Sequence, residues 1–494
     1  MSKTLQDWLD WQETLHPSEI DLGLERVARV LYRLLPECIS ADSCFSEAKL
    51  LGPVLPETVL PEKSKFSLPY KIITIAGTNG KGSTVTMLEA IFTEAGYRVG
   101  SYTSPHLLQY NERVKIDQIP VIDEFLCDSF ARIDQAREAL SLTYFEFGTL
   151  AAIDIFYQQS CEIVILEVGL GGRLDAVNVV DPDIAMVTTV DIDHQDWLGS
   201  DRNAIGIEKA GIYRSNKPAI YGDIDCPQSI RDIIFQQKLN FFQYSVDYQY
   251  HQTESHWDWL AIEKNEQLLS HYNLPLPRLK GTAQLKNAAN VLLVLELLKD
   301  VCPVTRTHII CGLQKAQLAG RFQVFSTDPF ILLDVAHNVQ AAKVLRSSIN
   351  ELKAVNKTPL KAFNKTQLKV VNKIPLKAFG KLHVIVGMLK DKDVLDVLSI
   401  LAPIVDSWRI IELDTPRAMP AEDMAVILKN DIPLPDGVDK KVHCFSNFKQ
   451  AYHDYTEKEA LLNSIDKLLV FGSFFTVTDA LSFLKFSDIK TAHE

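Results

Sequence analysis

The sequence predicts an α/β protein built on parallel sheets, and three observations carry that prediction. Short continuous apolar runs recur at Lys71–Ala76, Ile163–Val168, Ile184–Val190, Phe330–Val335, Leu382–Val386, Trp408–Leu413 and Leu468–Phe471, with helical stretches between them. Strands apolar on both faces and separated by helices belong to sheets covered on both sides. A glycine loop, Gly77–Ser83, follows the first of these runs and leads into a helical stretch from Thr84 to Ala95. At 494 residues the chain is long enough for two or three domains. The strands fall into two groups on either side of about residue 300.

Along the chain, residues 5–35 read as helical. Trp8, Leu9, Trp11 and Leu15 lead into Ile20, Leu22, Leu24, Val27, Val30, Leu31 and Leu34 at helical spacing, interrupted by Asp21–Arg26. Residues 36–69 hold five prolines and no clear period, which predicts an irregular excursion. Ala316–Arg321 sits between a helical stretch and a strand pattern, so a boundary is expected there. The expected units are 1–318 and 319–494. A repeat with lysine at every fourth position from Lys353 to Lys381 reads as an insertion in the second unit. From Leu352 to Lys390 there are nine lysines and no acid. Three copies of a six-residue core are too few for a solenoid, and a solvated loop is the expected form. A basic arm for an anionic partner is the rival reading.

Composition narrows the function classes. Hydrophobic residues at 47% and charged residues at 23% exclude disorder for the bulk of the chain. The net charge of −12 lacks the basic footprint of a nucleic-acid binder. The densest apolar run, Val291–Leu298, is broken by Glu296 and is far shorter than the ~20 residues of a membrane span. Met1–Asp10 has no apolar core, so no signal peptide is read. None of the eight cysteines forms a C-x-x-C pair, which argues against a zinc ribbon or a thioredoxin motif. Reduced thiols, a cytoplasmic location, and no nucleic-acid or membrane partner are expected.

The glycine loop carries the chemistry. After a strand and before a helix, backbone N–H groups and the helix N-terminus converge on one point, which suits a phosphate. Lys81 adds a mobile positive charge, and Ser83 or Thr84 offers a hydroxyl to Mg²⁺. The match to the standard phosphate-loop pattern is imperfect, because Ile75 stands where a glycine is expected and Gly82 separates Lys81 from the hydroxyl. Oxygen ligands for a metal are sought at strand ends. Glu167 ends one apolar run, and Asp191–Asp196, with His194, follows another. Oxygen suits magnesium better than imidazole does. Lys209 reads by default as a helix-surface lysine. Arg321 and Asp334–Asn338 could close over a nucleotide from the second unit.

The loop Gly77-Thr78-Asn79-Gly80-Lys81-Gly82-Ser83 resembles the ATP loop of the Mur ligase superfamily. Within it the chain resembles the bacterial bifunctional dihydrofolate synthase/folylpolyglutamate synthases. The segments that carry this span nearly the whole chain in order: Leu15-His16-Pro17 with Ile20–Val27, Ser104–Leu107 with Asn111–Val114, Leu142–Thr149, Glu167–Ala176, Asp193-His194 with Asp196–Gly199, Glu208–Gly211, Gly320–Gln323, Asp334–Asn338, Gly387–Asp393 and Gly472–Phe474.

The resemblance implies a P-loop ATPase domain followed by a smaller Rossmann-like domain. It implies that Asn79, Gly80, Lys81, Gly82, Asn287, Arg321 and Asp334 contact ATP. Ser83, Glu167 and Ser104 would bind one Mg²⁺. His194 and a carbamoylated Lys209 would serve a second, and His337 would belong to the catalytic set with Lys81 and Lys209. Asp21, Leu22, Gly23, Leu24, Phe145, Glu146, Phe147, Gly148, Leu174, Asp175 and Ala176 would hold dihydropteroate. The chain departs from the pattern at Val339, where a proline is usual, in the longer 36–69 link, and in the lysine repeat. The implied reaction is ATP-dependent joining of L-glutamate to dihydropteroate and to folates through an acyl phosphate, by a monomer. Other readings are a monofunctional polyglutamate synthase, a Mur-type amino-acid ligase, and a nucleotide-binding regulatory or scaffold protein without turnover.

Overall fold

The computed structural model describes residues 3–39, 66–253, 255–262, 268–357, 379–432, 441–460 and 465–491. Most of the 36–69 link and residues 358–378 of the lysine repeat lie outside them. Three sheets organise the described chain.

The first sheet has eight strands. Its centre is β1 (Lys71–Ala76), flanked by β5 (Ile163–Glu167) and β6 (Ile184–Val187), all parallel. Beyond β5 lies β2 (Val99–Tyr102), and then β3 (Val114–Ile116) and β4 (Ile119–Pro120) run antiparallel at the edge. β7 (Pro218–Tyr221) and β8 (Asn240–Gln243) extend the other side in parallel. β1 shows why these segments are apolar throughout. Ile72 and Ala76 enter the core on one face, while Ile73 and Ile75 enter the core on the other.

A second sheet, antiparallel and three-stranded, comprises β9 (Tyr248–Gln252), β10 (His256–Ile262) and β11 (Leu268–Pro275). The third sheet has six strands in the order β12–β13–β17–β14–β15–β16. These are β12 (Gln323–Thr327), β13 (Phe330–Asp334), β14 (Leu382–Val386), β15 (Ser407–Ile411), β16 (Lys441–Phe445) and β17 (Lys467–Phe471). All pairings are parallel except that of β12, an edge strand. The boundary segment 316–321 runs from the helix Arg306–Lys315 to β12.

Register sets the site. Ile75 pairs with Glu167, and Ala76 with Val187, so the carboxyl ends of β1, β5 and β6 are level. Asp334, Phe471 and Val386 are level in the third sheet. Two local outcomes differ from expectation. β6 stops at Val187 rather than at Val190, because Thr188 turns to the glycine loop and its Oγ1 donates to the Asn79 carbonyl at 2.7 Å. The helix after the loop starts at Lys81 rather than Thr84.

The amino-terminal helices Leu5–Leu15 and Glu25–Leu34 pack on the helices Asp123–Arg137 and Tyr144–Gln158. Phe147 sits fully buried there, edge-on to Trp11 at 5.9 Å and Phe130 at 5.5 Å. Phe147→Ala is expected to cost about 3–5 kcal/mol by removing this ring from a packed core. Urea unfolding checks it, and a cost below about 1 kcal/mol would place the ring in a wall that relaxes rather than in a core.

Candidate active site

The cavity forms where the carboxyl edges of the first and third sheets face each other, and its volume is about 490 Å³. The glycine loop is its floor. Gly77 has φ 144°, and a Cβ there would strike Thr188 Oγ1 at 1.9 Å. Gly80 has φ 88°, and its Cβ would lie 2.9 Å from Asn287 Oδ1. Both positions demand glycine. Thr78 N donates to the Thr189 carbonyl at 2.9 Å, and Asn79 N to Thr189 Oγ1 at 3.0 Å, so the loop is pinned to the end of β6. The helix Lys81–Glu94 opens with no acid in its first turn, which leaves its positive end for an anion. Lys81 folds back, its Nζ donating to the Gly77 carbonyl at 2.9 Å. Burial lowers the pKa of this amine, while Glu167 and Asp193 pull it back up.

Beside the floor are oxygen donors. Glu167 is buried at the end of β5, its Oε2 accepting from Ser104 N at 3.3 Å. A Cβ on Gly82 would lie 3.8 Å from that oxygen, an ordinary contact distance that puts the carboxylate beside the loop. Burial raises the Glu167 pKa, against Lys81 and Arg321. Ser83 is buried, its Oγ accepting from Gln284 Nε2 at 3.4 Å. A serine hydroxyl beside a buried carboxylate is a hard-donor set that fits magnesium.

His194 stands in the left-handed region at φ 54° after β6, with its ring in the cavity wall. Burial holds it down to about 4, so the imidazole is neutral and can act as a ligand. Lys209 is buried, not on a helix surface as its sequence context suggests. Gly172 packs against the Glu208 carbonyl, where a Cβ would meet it at 2.7 Å, and this presses the helix Arg202–Ala210 onto the site. Burial, and then Lys81, bring the Lys209 amine down to about 7.

The third sheet supplies the opposite wall. Asp334 accepts from Phe322 N and Ala336 N, each at 2.8 Å. Burial lowers the Arg321 pKa against Asp334 and Glu167, and its guanidinium lies 5.1 Å over the Phe474 ring. His337 Nδ1 donates to the Val335 carbonyl at 2.8 Å, which leaves Nε2 directed at Asp193, 3.7 Å away.

The two walls are clasped. Asp193, from the first sheet's side, accepts from Lys392 Nζ at 2.7 Å and Asn338 Nδ2 at 3.0 Å, both from the other side. Burial would raise the Asp193 carboxyl, but His337 and Lys392 hold it well below the ordinary range. Asn79 of the glycine loop adds bonds to Asn338 Oδ1 at 3.2 Å and Gln340 Oε1 at 2.6 Å. Lys392→Met should lower kcat about 10–100-fold by loosening this closure, with Lys392→Arg closer to the parent. Steady-state turnover checks it, and an unchanged kcat in a folded Lys392→Met protein would remove the clasp from the account.

All the phosphate, metal and second-wall candidates line this one cavity: Asn79, Gly80, Lys81, Gly82, Ser83, Ser104, Glu167, His194, Lys209, Asn287, Arg321, Asp334 and His337. The dihydropteroate candidates are not among the lining residues. Phe145 lies behind the lining residue Gly169, where a Cβ would strike its ring at 2.5 Å. Asp175 accepts from Leu170 N at 2.8 Å and caps a short 3₁₀ turn, and burial brings it up to about 6. Glu146 caps the helix Tyr144–Gln158 and pairs with Arg26 at 3.0 Å, and Arg26 also holds Asp21 at 2.6 Å. Gly148 is tucked against the Tyr110 hydroxyl. Leu22, Gly23 and Leu24 lie in the break between the first two helices, and Leu174 and Ala176 flank Asp175. The sequence reading assigned no role to Arg113, Gln340 or Lys392, which line or clasp the cavity, and offered Asp193 only within the Asp191–Asp196 stretch as a source of metal oxygen ligands, not as the clasp. Position after a strand end is the signal that points to Asp193 and Lys392.

Among the described residues no helix is long and apolar enough to cross a membrane. The described cysteines are unpaired.

Residues 75–295 match the Mur ligase middle domain. The chain is 38% identical over 477 residues to the dihydrofolate synthase/folylpolyglutamate synthase of Escherichia coli (strain K12), covering 97% of this chain and 94% of that protein. The structure of E. coli FolC in complex with DHPP and ADP superposes with a TM-score of 0.79 at 36% identity, covering 99% of each chain. A bifunctional folylpolyglutamate synthase/dihydrofolate synthase with Mn, AMPPNP and L-glutamate bound superposes with a TM-score of 0.77 at 38% identity, covering 98% of each chain.

Proposed function

Since this chain belongs to the dihydrofolate synthase/folylpolyglutamate synthase family of Mur-type ligases, we propose how its cavity performs that family's reaction. The enzyme joins L-glutamate to dihydropteroate, and further glutamates to folates, using ATP and a divalent metal. One observation carries the residue assignment. A glycine loop, an oxygen-rich metal side and a cationic second wall meet in one cavity at the level ends of two parallel sheets.

In this reading Asn79, Gly80, Lys81 and Gly82 hold the ATP phosphates, with Asn287, Arg321 and Asp334 on the nucleotide. Lys81 and Arg321 offset the charge that builds when the γ-phosphoryl group moves to the substrate carboxylate. Ser83, Ser104 and Glu167 would hold one Mg²⁺, and His194 with Lys209 a second. The metal, when bound, draws charge from the phosphate oxygens. Lys209 suits carbamoylation because an amine near neutrality at pH 7 is partly unprotonated and can add CO₂. The resulting carbamate turns an amine into an oxygen ligand.

The acyl phosphate formed on the substrate is then attacked by the glutamate amine, which must be neutral. His337, fixed by the bond from Nδ1 to the Val335 carbonyl with Nε2 on Asp193, lines the cavity where that amine arrives and would assist by orienting it. The clasp at Asp193 keeps water from the acyl phosphate while the walls are together. Dihydropteroate would enter along the wall at Gly169 and Leu170, backed by Phe145 and Asp175. Asp21–Leu24, Glu146, Gly148, Leu174 and Ala176 would shape that entry, with Phe147 in the core behind them.

A substrate panel with the purified full chain tests this. Dihydropteroate and tetrahydrofolate should each drive glutamate-dependent ADP release with ATP and Mg²⁺. Release with tetrahydrofolate alone would mark a monofunctional polyglutamate synthase. Release only with a muramyl peptide would overturn the reading.

A further inference from the structure

Arg113 ends the 3₁₀ turn Tyr110–Arg113 and lines the cavity. Its Nε donates to His106 Nδ1 at 2.8 Å. The guanidinium lies over two rings, Tyr110 at 5.5 Å and Tyr144 at 5.6 Å from their centroids. These neighbours fix the fork in place, and none of them is an anion. Burial, and then Arg113 itself, hold His106 down to about 4. Burial also raises the phenols of Tyr110 and Tyr144.

Among the described residues no carboxylate forms an ion pair with Arg113; its further polar neighbours are the Tyr102 hydroxyl, which accepts from it, and, farther off, Glu167 at the glycine loop. Arg26, Arg132, Arg173, Arg214 and Arg417, by contrast, each hold a carboxylate. The nearby Tyr102 is fully buried, and its hydroxyl lies among Arg113 and Thr149, with no carboxylate between them. A guanidinium carries five donors and matches a carboxylate bidentately. One held by neutral groups at a cavity wall has its anion-binding capacity unspent.

Position selects the anion. On one side of Arg113 is Glu167, which accepts from Ser104 N at the glycine loop. On the other, Tyr144 leads directly to Phe145, which backs the wall at Gly169. A substrate lying from that wall toward the loop passes Arg113 with its acidic end. We propose that Arg113 binds the carboxylate-bearing end of the pterin substrate and presents it to the phosphate loop. This specificity role rests on the functional reading above.

The test is steady-state kinetics of the full chain carrying Arg113→Met or Arg113→Lys, with dihydropteroate, tetrahydrofolate and ATP varied in turn. Arg113→Met should raise KM for both pterin substrates about tenfold or more, with KM for ATP within about twofold of the parent. Arg113→Lys should keep the charge but lose the fork, raising the same two KM values by a smaller factor. Pterin KM values unchanged in folded Arg113→Met overturn the assignment. So does an equal rise in KM for ATP, which would make Arg113 a nucleotide residue. If the Met variant does not fold, unchanged pterin KM values in Arg113→Lys overturn it instead. An active parent with unaltered variants removes the assignment alone, whereas a parent inert on both pterins removes the functional reading with it.

Discussion

Lys81→Ala is expected to lower glutamate ligation by at least about 10²–10³-fold while leaving the fold intact. Among the described residues the lysine's side chain makes one hydrogen bond, back to the Gly77 carbonyl, and the loop is pinned independently through Thr188 and Thr189. Removing the side chain therefore spares the turn. What is lost is a buried positive charge within the influence of Glu167 and Asp193, at the point where phosphate oxygens would lie. Turnover with saturating dihydropteroate, set beside far-UV circular dichroism, checks this. Near-normal turnover would show that the loop is not the phosphate site.

Glu167→Gln is expected to be comparably damaging, by about 10²-fold or more, through a different route. The exchange preserves shape and the contact with Ser104 N, but replaces the carboxylate beside Ser83 with a poor Mg²⁺ ligand. A ligand that binds only the folded state raises its melting temperature. The parent should therefore melt higher with Mg²⁺ and ATP together than with either alone, and the variant should lose most of that joint shift. A full joint shift with ordinary turnover in Glu167→Gln would move the metal elsewhere.

What was legible in the sequence follows from which signals are local. The central strands of the two large sheets could be read because burial on both faces demands unbroken apolar runs, as in Lys71–Ala76 and Leu468–Phe471, whereas the short or outer strands β2, β3, β4, β7, β8 and β16 carry no such run and were not read. The three-stranded sheet was missed because its alternation is carried by a few aromatics, such as Tyr248 with Tyr250 and Trp257 with Trp259, among polar residues. The glycine loop and Glu167 could be found because they follow strands directly. Lys209 could not be distinguished from a surface lysine without Gly172, whose missing side chain lets the helix close over it. Lys392 gains meaning only from Asp193, 199 positions away. Arg113 gains meaning only from the lack of a carboxylate ion pair among the described residues, which no local pattern encodes. Phe147 shows the converse, since a motif residue can be core rather than wall, and spacing does not separate the two.

The central claim is that a triphosphate held between the two walls phosphorylates a substrate carboxylate, which glutamate then captures. Its most direct test uses dihydropteroate whose carboxylate carries a heavy oxygen isotope. During ligation one labelled oxygen should leave with the released inorganic phosphate, because the carboxylate oxygen becomes the bridge of the acyl phosphate and stays with phosphorus when the amine attacks carbon. Inorganic phosphate free of the label, formed at the same rate as the amide, would contradict the account.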